Sequence, residues 1–190
     1  ASPCPKEVMK KIINILNIKE ITIVYGMTET SPISFQTNIG DDVDLQVSTV
    51  GNINPHIEAK VIDSNKNFIL DRGKPGELCI KGYSVMKEYW KNKTETKKAI
   101  DKDGWMRTGD LVLMRDDGYL EIVGRIKDTI IKGGENIYPR EVEEFLIKID
   151  QIEQAYVFGV PDKTYGEIVG CWVKLEKNKI ISKNEIKNKC

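Results

Sequence analysis

Hydrophobic and polar side chains alternate with the period of a helix at the start of the chain. The apolar positions of this stripe are Val8, Met9, Ile12, Ile13 and Leu16. Such spacing predicts an amphipathic helix whose apolar side faces a core. The run ITIV at 21–24 predicts a buried strand directly after that helix. A helix followed by a buried strand is typical of an α/β arrangement.

From about Val50 the pattern changes to short strand-like segments separated by turn residues. The segments IEAKVID and GELCIKG predict strands, and a short helix is expected over Thr94–Ile100. This second pattern indicates a β-rich part of the same domain.

The segments LVLMR and YLEIVG predict a hairpin, because Asp117-Gly118 lies between them. With those two residues at the centre of the turn, residue 116 pairs with 119, and Asp110 lies opposite Arg125. A slip of one residue would still leave Asp110 and Arg125 neighbours at the open end of the hairpin.

After Gly124 the pattern changes again, which predicts a small α+β unit. The segment DTIIK and the turn Gly133-Gly134 precede a helix that begins at Pro139, since proline favours the first helical position. Its predicted buried stripe consists of Val142, Phe145, Leu146 and Ile149. Strands are expected near 154–160 and 168–175, and Ser182 is the expected N-cap of a last helix. The sequence therefore predicts a protein of α/β and α+β class in two domains, residues 1–125 and 126–190.

Composition narrows the classes of function. The chain has 29 basic and 29 acidic residues, so its formal net charge is zero, and 40% of its residues are hydrophobic. This balance is typical of a soluble globular protein, and no basic stripe indicates nucleic acid as a partner. The longest apolar runs, ITIV and LVLM, are far shorter than the roughly 20 residues that span a bilayer. With four cysteines, no CxxC pair and His56 alone, no zinc site can be built, and reduced thiols are expected.

The loop YGMTETSP at 25–32 is the first candidate for chemistry. It follows the predicted strand, at the edge where open α/β sheets bind ligands. Gly26 permits close backbone approach, and the hydroxyls of Thr28, Thr30 and Ser31 could donate to a phosphate. Glu29 supplies a hard oxygen ligand for Mg²⁺ bridged to that phosphate. The alternative is an ordinary polar loop with a capping hydroxyl.

Two further candidates follow. The carboxylate of Asp110 could accept both hydroxyls of a ribose while the guanidinium of Arg125 donates beside it; the alternative is a cross-strand salt bridge. Gly133-Gly134 leaves backbone uncovered for a narrow ligand, and Lys127 lies at the domain junction, where a few dihedral changes could swing one domain. The alternative there is a plain turn and a solvated lysine.

Four motifs in one order resemble a known superfamily. YGMTE, GELCIKGYSVM, GWMRTGDL and GRIKDTIIKGGENIYPREVE are similar to motifs of the AMP-forming, adenylate-forming enzymes, which include acyl-CoA synthetases, peptide-synthetase adenylation domains and luciferases. The likeness runs from about Ser2 to Lys174. Within the superfamily, the segments SPCP, YGMTETSP, ELCIKGYSVM and IIKGGENIYPREVE are most similar to the mitochondrial medium-chain acyl-CoA ligases (acyl-CoA synthetase family member 2).

The resemblance implies a fold, an activity and a location. The fold would be the C-terminal part of a large adenylate-forming domain, a sheet plus a β-barrel-like subdomain, followed by a truncated small α+β domain. The activity would be that of an ATP-dependent fatty acyl-CoA ligase that uses ATP, Mg²⁺ and coenzyme A, with mitochondrial location. Its partners would be small molecules.

The resemblance also implies roles for individual residues of the first domain. Tyr25 would lie against the adenine, and Gly26 would form pocket wall beside the acyl group. Thr28 would bind the α-phosphate and Glu29 would hold Mg²⁺. Asp110 matches the ribose-binding aspartate.

In the second part of the chain, Arg125 matches the arginine beside that aspartate. Lys127 matches the hinge about which the small domain rotates between half-reactions. Gly133 and Gly134 match the loop that borders the pantetheine tunnel of coenzyme A.

Some of the superfamily's features are missing. Its phosphate loop and its catalytic lysine are absent from the sequence, so we expect an internal fragment that is inactive alone. Where the superfamily usually has Met-x-Gly-Tyr, the chain has Met86-Lys87-Glu88-Tyr89. Two other functions stay open: an adenylation enzyme that loads a carrier-protein thiol, and a truncated product that binds a nucleotide or a partner without catalysis.

Overall fold

The structure, a computed structural model, describes residues 6–18 and 20–189. Contacts between residues divide the chain into two compact units, Ala1–Ile122 and Val123–Cys190. No helix in the described ranges is both long enough and apolar enough to cross a membrane.

The first unit is built from helices and antiparallel strands. Its elements are α1 (Lys6–Leu16), β1 (Val24–Gly26), β2 (Ile33–Gln36), α2 (Val43–Ser48), β3 (Asn52–Ile53), β4 (Ile57–Ile62), β5 (Pro75–Gly82), α3 (Lys93–Ala99), β6 (Met106–Met114) and β7 (Leu120–Arg125), whose first residues belong to this unit. One sheet has the order β1-β2-β3 and the other has the order β4-β5-β6-β7. The predicted helix at 94–100 is therefore confirmed, shifted by one residue.

One hydrophobic core joins the two sheets of this unit. Its buried members are Phe35, Ile57, Val61, Leu78, Ile80, Val112 and Leu120. Each side chain of this size contributes about 1.5–3 kcal/mol when it leaves water. The rings of Tyr25 and Phe35 meet edge to face at 6.2 Å. This contact attaches the candidate loop, whose first residue is Tyr25, to the core.

The predicted amphipathic helix is confirmed as α1, although its stripe is only partly covered. Met9 is buried, whereas Leu16 is exposed. The side chain of Val8 lies outside the described residues.

The buried strand predicted at 21–24 is wrong in position and in burial. The strand begins at Val24, which is 49% exposed, and it pairs antiparallel with β2. Because β1 is an edge strand in the described sheet, only one of its sides receives a neighbour. The apolar run alone could not show which side of the strand is covered.

The hairpin is confirmed, but its turn is one residue longer than predicted. Arg115 donates from its backbone N–H to the Tyr119 carbonyl at 2.9 Å, so 115 rather than 116 faces 119. The loop is held by Asp117, whose carboxylate accepts from the Tyr119 N–H at 3.1 Å and pairs with Arg115 at 3.0 Å. A side chain that caps the turn therefore decides the register here.

The second unit is an α+β arrangement. Its elements are β8 (Ile130–Lys132), β9 (Glu135–Ile137), α4 (Pro139–Leu146), β10 (Ile152–Asp162), β11 (Gly166–Leu175) and α5 (Lys183–Lys189). The sheet order is β10-β11-β8-β9, and Ile130, Leu146, Ile149, Ile152, Ala155 and Val157 form the core. The predicted helix start at Pro139 and the two predicted strands are confirmed.

The predicted stripe of α4 is only partly correct. Leu146 and Ile149 are buried as predicted, although Ile149 lies beyond the helix end in the turn that follows, whereas Phe145 is 43% exposed. Phe145 is one position from Leu146, about 100° around the helix, so it lies at the edge of the buried face and stays partly exposed.

The capping prediction for the last helix is confirmed. The hydroxyl of Ser182 accepts from the Glu185 N–H at 3.2 Å, and the Glu185 carboxylate accepts from the Ser182 N–H at 2.7 Å. This reciprocal pair is a capping box. Ile186 packs against the core, so the helix has an apolar anchor that the sequence pattern did not indicate.

Candidate functional site

The loop at 25–32 is held by hydrogen bonds within itself. A 3₁₀ turn over Thr28–Thr30 follows β1, and Ser31 ends it in the left-handed region at φ 52°. The buried hydroxyl of Thr30 accepts from the Met27 N–H at 3.2 Å and lies 3.1 Å from the Met27 carbonyl oxygen and 3.2 Å from that of Pro32. Thr30 is therefore not the predicted phosphate donor, because its hydroxyl is used within the loop. Thr28, in contrast, is exposed.

Gly26 is required by the path of its own loop. A Cβ atom added there would lie 1.4 Å from the carbonyl oxygen of Pro32, which is backbone and cannot rotate away. The structure thus gives Gly26 a role in the path of its own loop, and the close approach of a ligand at this glycine stays a prediction.

A hydrogen bond between Tyr25 and Asp110 joins the candidate loop at 25–32 to the candidate ribose ligand. The phenol of Tyr25 donates to Oδ2 of Asp110 at 2.6 Å, although the two residues are 85 positions apart. Asp110 is only 6% exposed. The structure therefore brings the ribose-binding candidate to the residue expected to lie against adenine.

A bulge in β6 sets the direction of Asp110. Glu77 faces Leu111 and Cys79 faces Arg107, so three residues of β6, 108–110, lie opposite Leu78 alone. Gly109, at φ 71°, occupies the bulge, and a Cβ atom added there would meet open space. Backbone conformation, rather than crowding, is therefore the reason for glycine at this position.

A buried carboxylate supports this bulge from the neighbouring strand. Glu77, 4% exposed, accepts from the Gly109 N–H at 3.2 Å through Oε1. Its other oxygen accepts from Arg107 Nε at 2.8 Å. The pKa of Arg107 is raised, first because Glu77 accepts its hydrogen bonds. Sequence reasoning did not identify this pair.

Glu29 is held by a second segment that sequence reasoning did not assign to the site. Tyr89 donates its phenol hydrogen to Glu29 Oε1 at 2.8 Å, and the Met86 N–H donates to the Glu29 carbonyl at 2.8 Å. The hydrogen bond to Glu29 is the main cause of a raised pKa for the Tyr89 phenol. No local signal in the sequence relates residues that are 60 positions apart.

The remaining predicted residues lie at the start of the second unit. Arg125 ends β7, and Lys127 is exposed within a 3₁₀ turn over Ile126–Asp128. Gly133 and Gly134 are exposed in the turn between β8 and β9, where the Gly133 N–H donates to the Tyr165 carbonyl at 2.8 Å. The roles of these four residues stay predictions.

The residues present fit a magnesium ion that is shared with a substrate. No group of three or more His, Cys, Asp or Glu side chains in the described ranges could hold a metal by itself. Magnesium, however, is commonly bound by one or two carboxylates together with substrate phosphates. The half-buried carboxylate of Glu29, next to Thr28 with its exposed hydroxyl, is of the kind that would supply the protein part of such a site.

Comparison with known proteins identifies the family. The family profile described as AMP-binding enzyme matches residues 1–90, and the profile described as AMP-binding enzyme C-terminal domain matches residues 141–190. The chain belongs to the AMP-binding enzyme family.

Relatives at high identity cover the chain from end to end. YngI of Bacillus subtilis (strain 168), which is named as an acyl-CoA synthetase, is 49% identical over 189 residues. The mitochondrial medium-chain acyl-CoA ligase ACSF2 of Danio rerio is 47% identical, and that of Bos taurus is 42% identical. The matches cover 100% of the chain but 34%, 31% and 31% of these relatives. The chain thus spans about a third of their length.

Solved structures support the same fold. ATP-bound MatB from Rhodopseudomonas palustris matches with a TM-score of 0.92 at 30% identity, over 100% of the chain and 37% of that protein. The o-succinylbenzoate CoA synthetase MenE of Bacillus subtilis, in complex with an acyl-adenylate, matches with a TM-score of 0.86 at 28% identity, over 100% of the chain and 38% of that protein. The predicted fold class, part of an adenylate-forming enzyme, is confirmed.

Proposed function

We propose that the chain is the part of an ATP-dependent acyl-CoA ligase that binds the nucleotide and carries the hinge. The observation that carries the proposal is the 2.6 Å hydrogen bond from Tyr25 to Asp110, which joins the adenine and ribose candidates of two distant motifs. The acyl-CoA synthetase and ligase names of the relatives support it. The substrates would be a fatty acid, ATP and coenzyme A.

The reaction would proceed in two steps. A carboxylate oxygen of the acid attacks the α-phosphorus of ATP, and the bond to the bridging oxygen of the β-phosphate breaks, which releases pyrophosphate. The sulfur of coenzyme A, after loss of its proton, then attacks the acyl carbon, and AMP leaves with the electron pair of the broken C–O bond. In both steps the protein acts by positioning and by stabilising charge.

Residues of the first unit would position the nucleotide. Asp110 would accept the ribose hydroxyls, while Tyr25, which is bonded to Asp110, would lie against the adenine. Thr28 would donate to the α-phosphate, and Gly26 would form pocket wall beside the acyl group. Glu29 would hold Mg²⁺, and the chemistry supplied by the bound ion would be neutralisation of charge on the departing pyrophosphate.

Residues of the second unit would take part in the domain rotation that separates the two half-reactions. Arg125 would donate beside the ribose, and Lys127 would be the hinge. Gly133 and Gly134 would border the pantetheine of coenzyme A, because their turn is exposed and carries no side chains. We propose that the division of the chain near these residues separates the large AMP-binding domain from the small C-terminal one.

We also propose a medium-chain fatty acid as substrate and a mitochondrial location. The ACSF2 relatives, which are named as mitochondrial medium-chain acyl-CoA ligases, support both.

The decisive experiment measures exchange of radiolabelled pyrophosphate into ATP by the protein that the complete reading frame encodes. Carboxylic acids of graded chain length are supplied one at a time, and acyl-CoA formation is measured by mass spectrometry. We expect exchange and thioester formation to be highest with medium-chain acids, and no exchange by the 190-residue polypeptide alone. Absence of exchange with every acid would refute the ligase, and exchange followed by transfer only to a carrier-protein thiol would assign the alternative adenylation enzyme.

A further inference from the structure

We propose that Tyr89 is a positioning residue that orients the carboxylate of Glu29 toward the metal and the nucleotide phosphates. The proposal rests on the proposed function for the role of Glu29. The role of Tyr89 itself follows from contacts within the first unit.

The segment 86–89 holds Glu29 at two points. One bond, from the Met86 N–H, fixes the Glu29 backbone, and the other, from the Tyr89 phenol, fixes its side chain, each at 2.8 Å. Glu29 lies within a short 3₁₀ turn whose last residue, Thr30, is fully buried. Both ends of the Glu29 side chain are therefore fixed, which removes most of its rotamer freedom before any ligand binds.

Tyr89 can act as an anchor because its own backbone is fixed. Its N–H donates to Thr96 Oγ1 at 3.0 Å, and its carbonyl accepts from the Asn92 N–H at 3.0 Å. Asn92 is also the N-cap of α3, since its side chain accepts from the Glu95 N–H at 3.2 Å. The backbone of Tyr89, which carries the phenol, is thus bonded to the start of α3.

The arrangement leaves one carboxylate oxygen of Glu29 available. Oε1 accepts the phenol hydrogen, whereas Oε2 has no hydrogen-bond partner among the described residues. A carboxylate ligand whose second oxygen is hydrogen-bonded is the usual design of metal sites, and loss of such a partner typically reduces metal affinity or activity by about 10–100-fold. Glu88, which stands where the superfamily usually has glycine, is exposed and does not disturb this bond.

The test compares Tyr89→Phe with Tyr83→Phe in the protein encoded by the complete reading frame. Tyr83 lies a few residues before Tyr89, is 78% exposed and serves as the matched control. Two quantities are measured: the Mg²⁺ concentration for half-maximal pyrophosphate exchange, and the relaxation enhancement of water protons by Mn²⁺ in the presence of ATP and protein. The second quantity reports metal binding without turnover.

We expect Tyr89→Phe to raise the half-maximal Mg²⁺ concentration by about tenfold or more and to weaken Mn²⁺ binding equally. The KM for the fatty acid and the melting temperature should stay unchanged, and Tyr83→Phe should behave as wild type. In a Glu29→Gln background, Tyr89→Phe should add no further loss of Mn²⁺ binding, because the two side chains act as one unit. This double variant separates positioning from a change in folding.

Three outcomes would count against these ideas in different ways. An unchanged Mg²⁺ and Mn²⁺ dependence in Tyr89→Phe would overturn the positioning role. A uniform loss of activity at all metal concentrations, with unchanged half-saturation, would also overturn it, since that result indicates a structural role only. Absence of both exchange and Mn²⁺–ATP binding in the wild type would instead refute the proposed function.

Discussion

The phenol of Tyr25 donates a 2.6 Å hydrogen bond to the carboxylate of Asp110, and 85 positions of sequence separate the two residues. Tyr25 lies in the first strand, at the start of the candidate loop, and Asp110 is the last residue of the bulge in β6. An aromatic ring and a carboxylate held in this way offer one face to a base and acceptor oxygens to a sugar.

Replacement of Asp110 by alanine should weaken use of ATP. Loss of a single hydrogen bond to a charged group costs about 1.5–3 kcal/mol, so loss of the bonds to the ribose should raise the KM for ATP by at least about tenfold. Steady-state kinetics with ATP as the varied substrate check this. Asp116→Asn, an exposed aspartate in the turn of the same hairpin, is the control and should leave the KM within twofold. An unchanged KM in Asp110→Ala would remove Asp110 from the nucleotide site.

Replacement of Lys127 by proline should separate the two half-reactions. Lys127 occupies the second position of a 3₁₀ turn, where proline is tolerated, but the ring fixes the backbone dihedral that a hinge must change. Pyrophosphate exchange should stay within twofold of wild type, while acyl-CoA formation should fall at least tenfold. Lys127→Ala keeps a rotatable backbone and should retain both steps. Equal loss of both steps in the proline variant would contradict the hinge.

Replacement of Arg107 by methionine should destabilise the first unit, because the carboxylate of Glu77 would stay buried without the guanidinium that neutralises it. Because the Arg107 side chain is 35% exposed, the loss should be smaller than for a fully buried pair, about 1–3 kcal/mol in the free energy of unfolding, which can be measured with urea. Lys97→Met, on the exposed side of α3, should change it by less than about 0.5 kcal/mol. The double variant Glu77→Gln/Arg107→Met should recover part of the loss. Additive losses in the double variant would show that the two side chains do not act as a pair.

The two described cysteines should differ sharply in reactivity. Burial, followed by the negative charge of Glu77, raises the pKa of the Cys79 thiol to about 11, whereas Cys171 is exposed. The thiol of Cys79 is thus neutral and covered throughout the physiological range, and its thiolate forms only as pH rises toward that value. Iodoacetamide at about pH 8, near the ordinary thiol pKa, should modify Cys171 and spare Cys79, as peptide mapping would show. In denaturant both should react, and equal rates in the native protein would contradict the buried position of Cys79.

Local chemistry made several elements predictable from the sequence. Proline at 139 and serine at 182 indicate helix starts through the local preferences of those residues, and both predictions were correct. The covered side of a strand and the register of a hairpin depend on neighbours. The buried strand predicted at 21–24 was therefore wrong, and the turn predicted at Asp117-Gly118 was one residue too short.

Of the candidate site, the sequence predicted only the residues that lie within recognisable motifs. Glu29 and Asp110 were recognisable because their segments resemble those of a family. Tyr89, which bonds to Glu29, and Glu77, which accepts from the Gly109 N–H next to Asp110, carry no local signal. They lie 60 and 32 positions from the residues to which they bond.

The position of Gly26 has a practical consequence for enzyme engineering. Any larger residue there would push apart the two strands that carry Tyr25 and Phe35, because a side chain would collide with the Pro32 carbonyl. Under the proposed function, in which Gly26 borders the acyl group, mutant libraries designed to narrow that pocket should keep glycine at 26 and vary side chains elsewhere, since substitutions at this site would select against folded protein before they select for a shorter substrate.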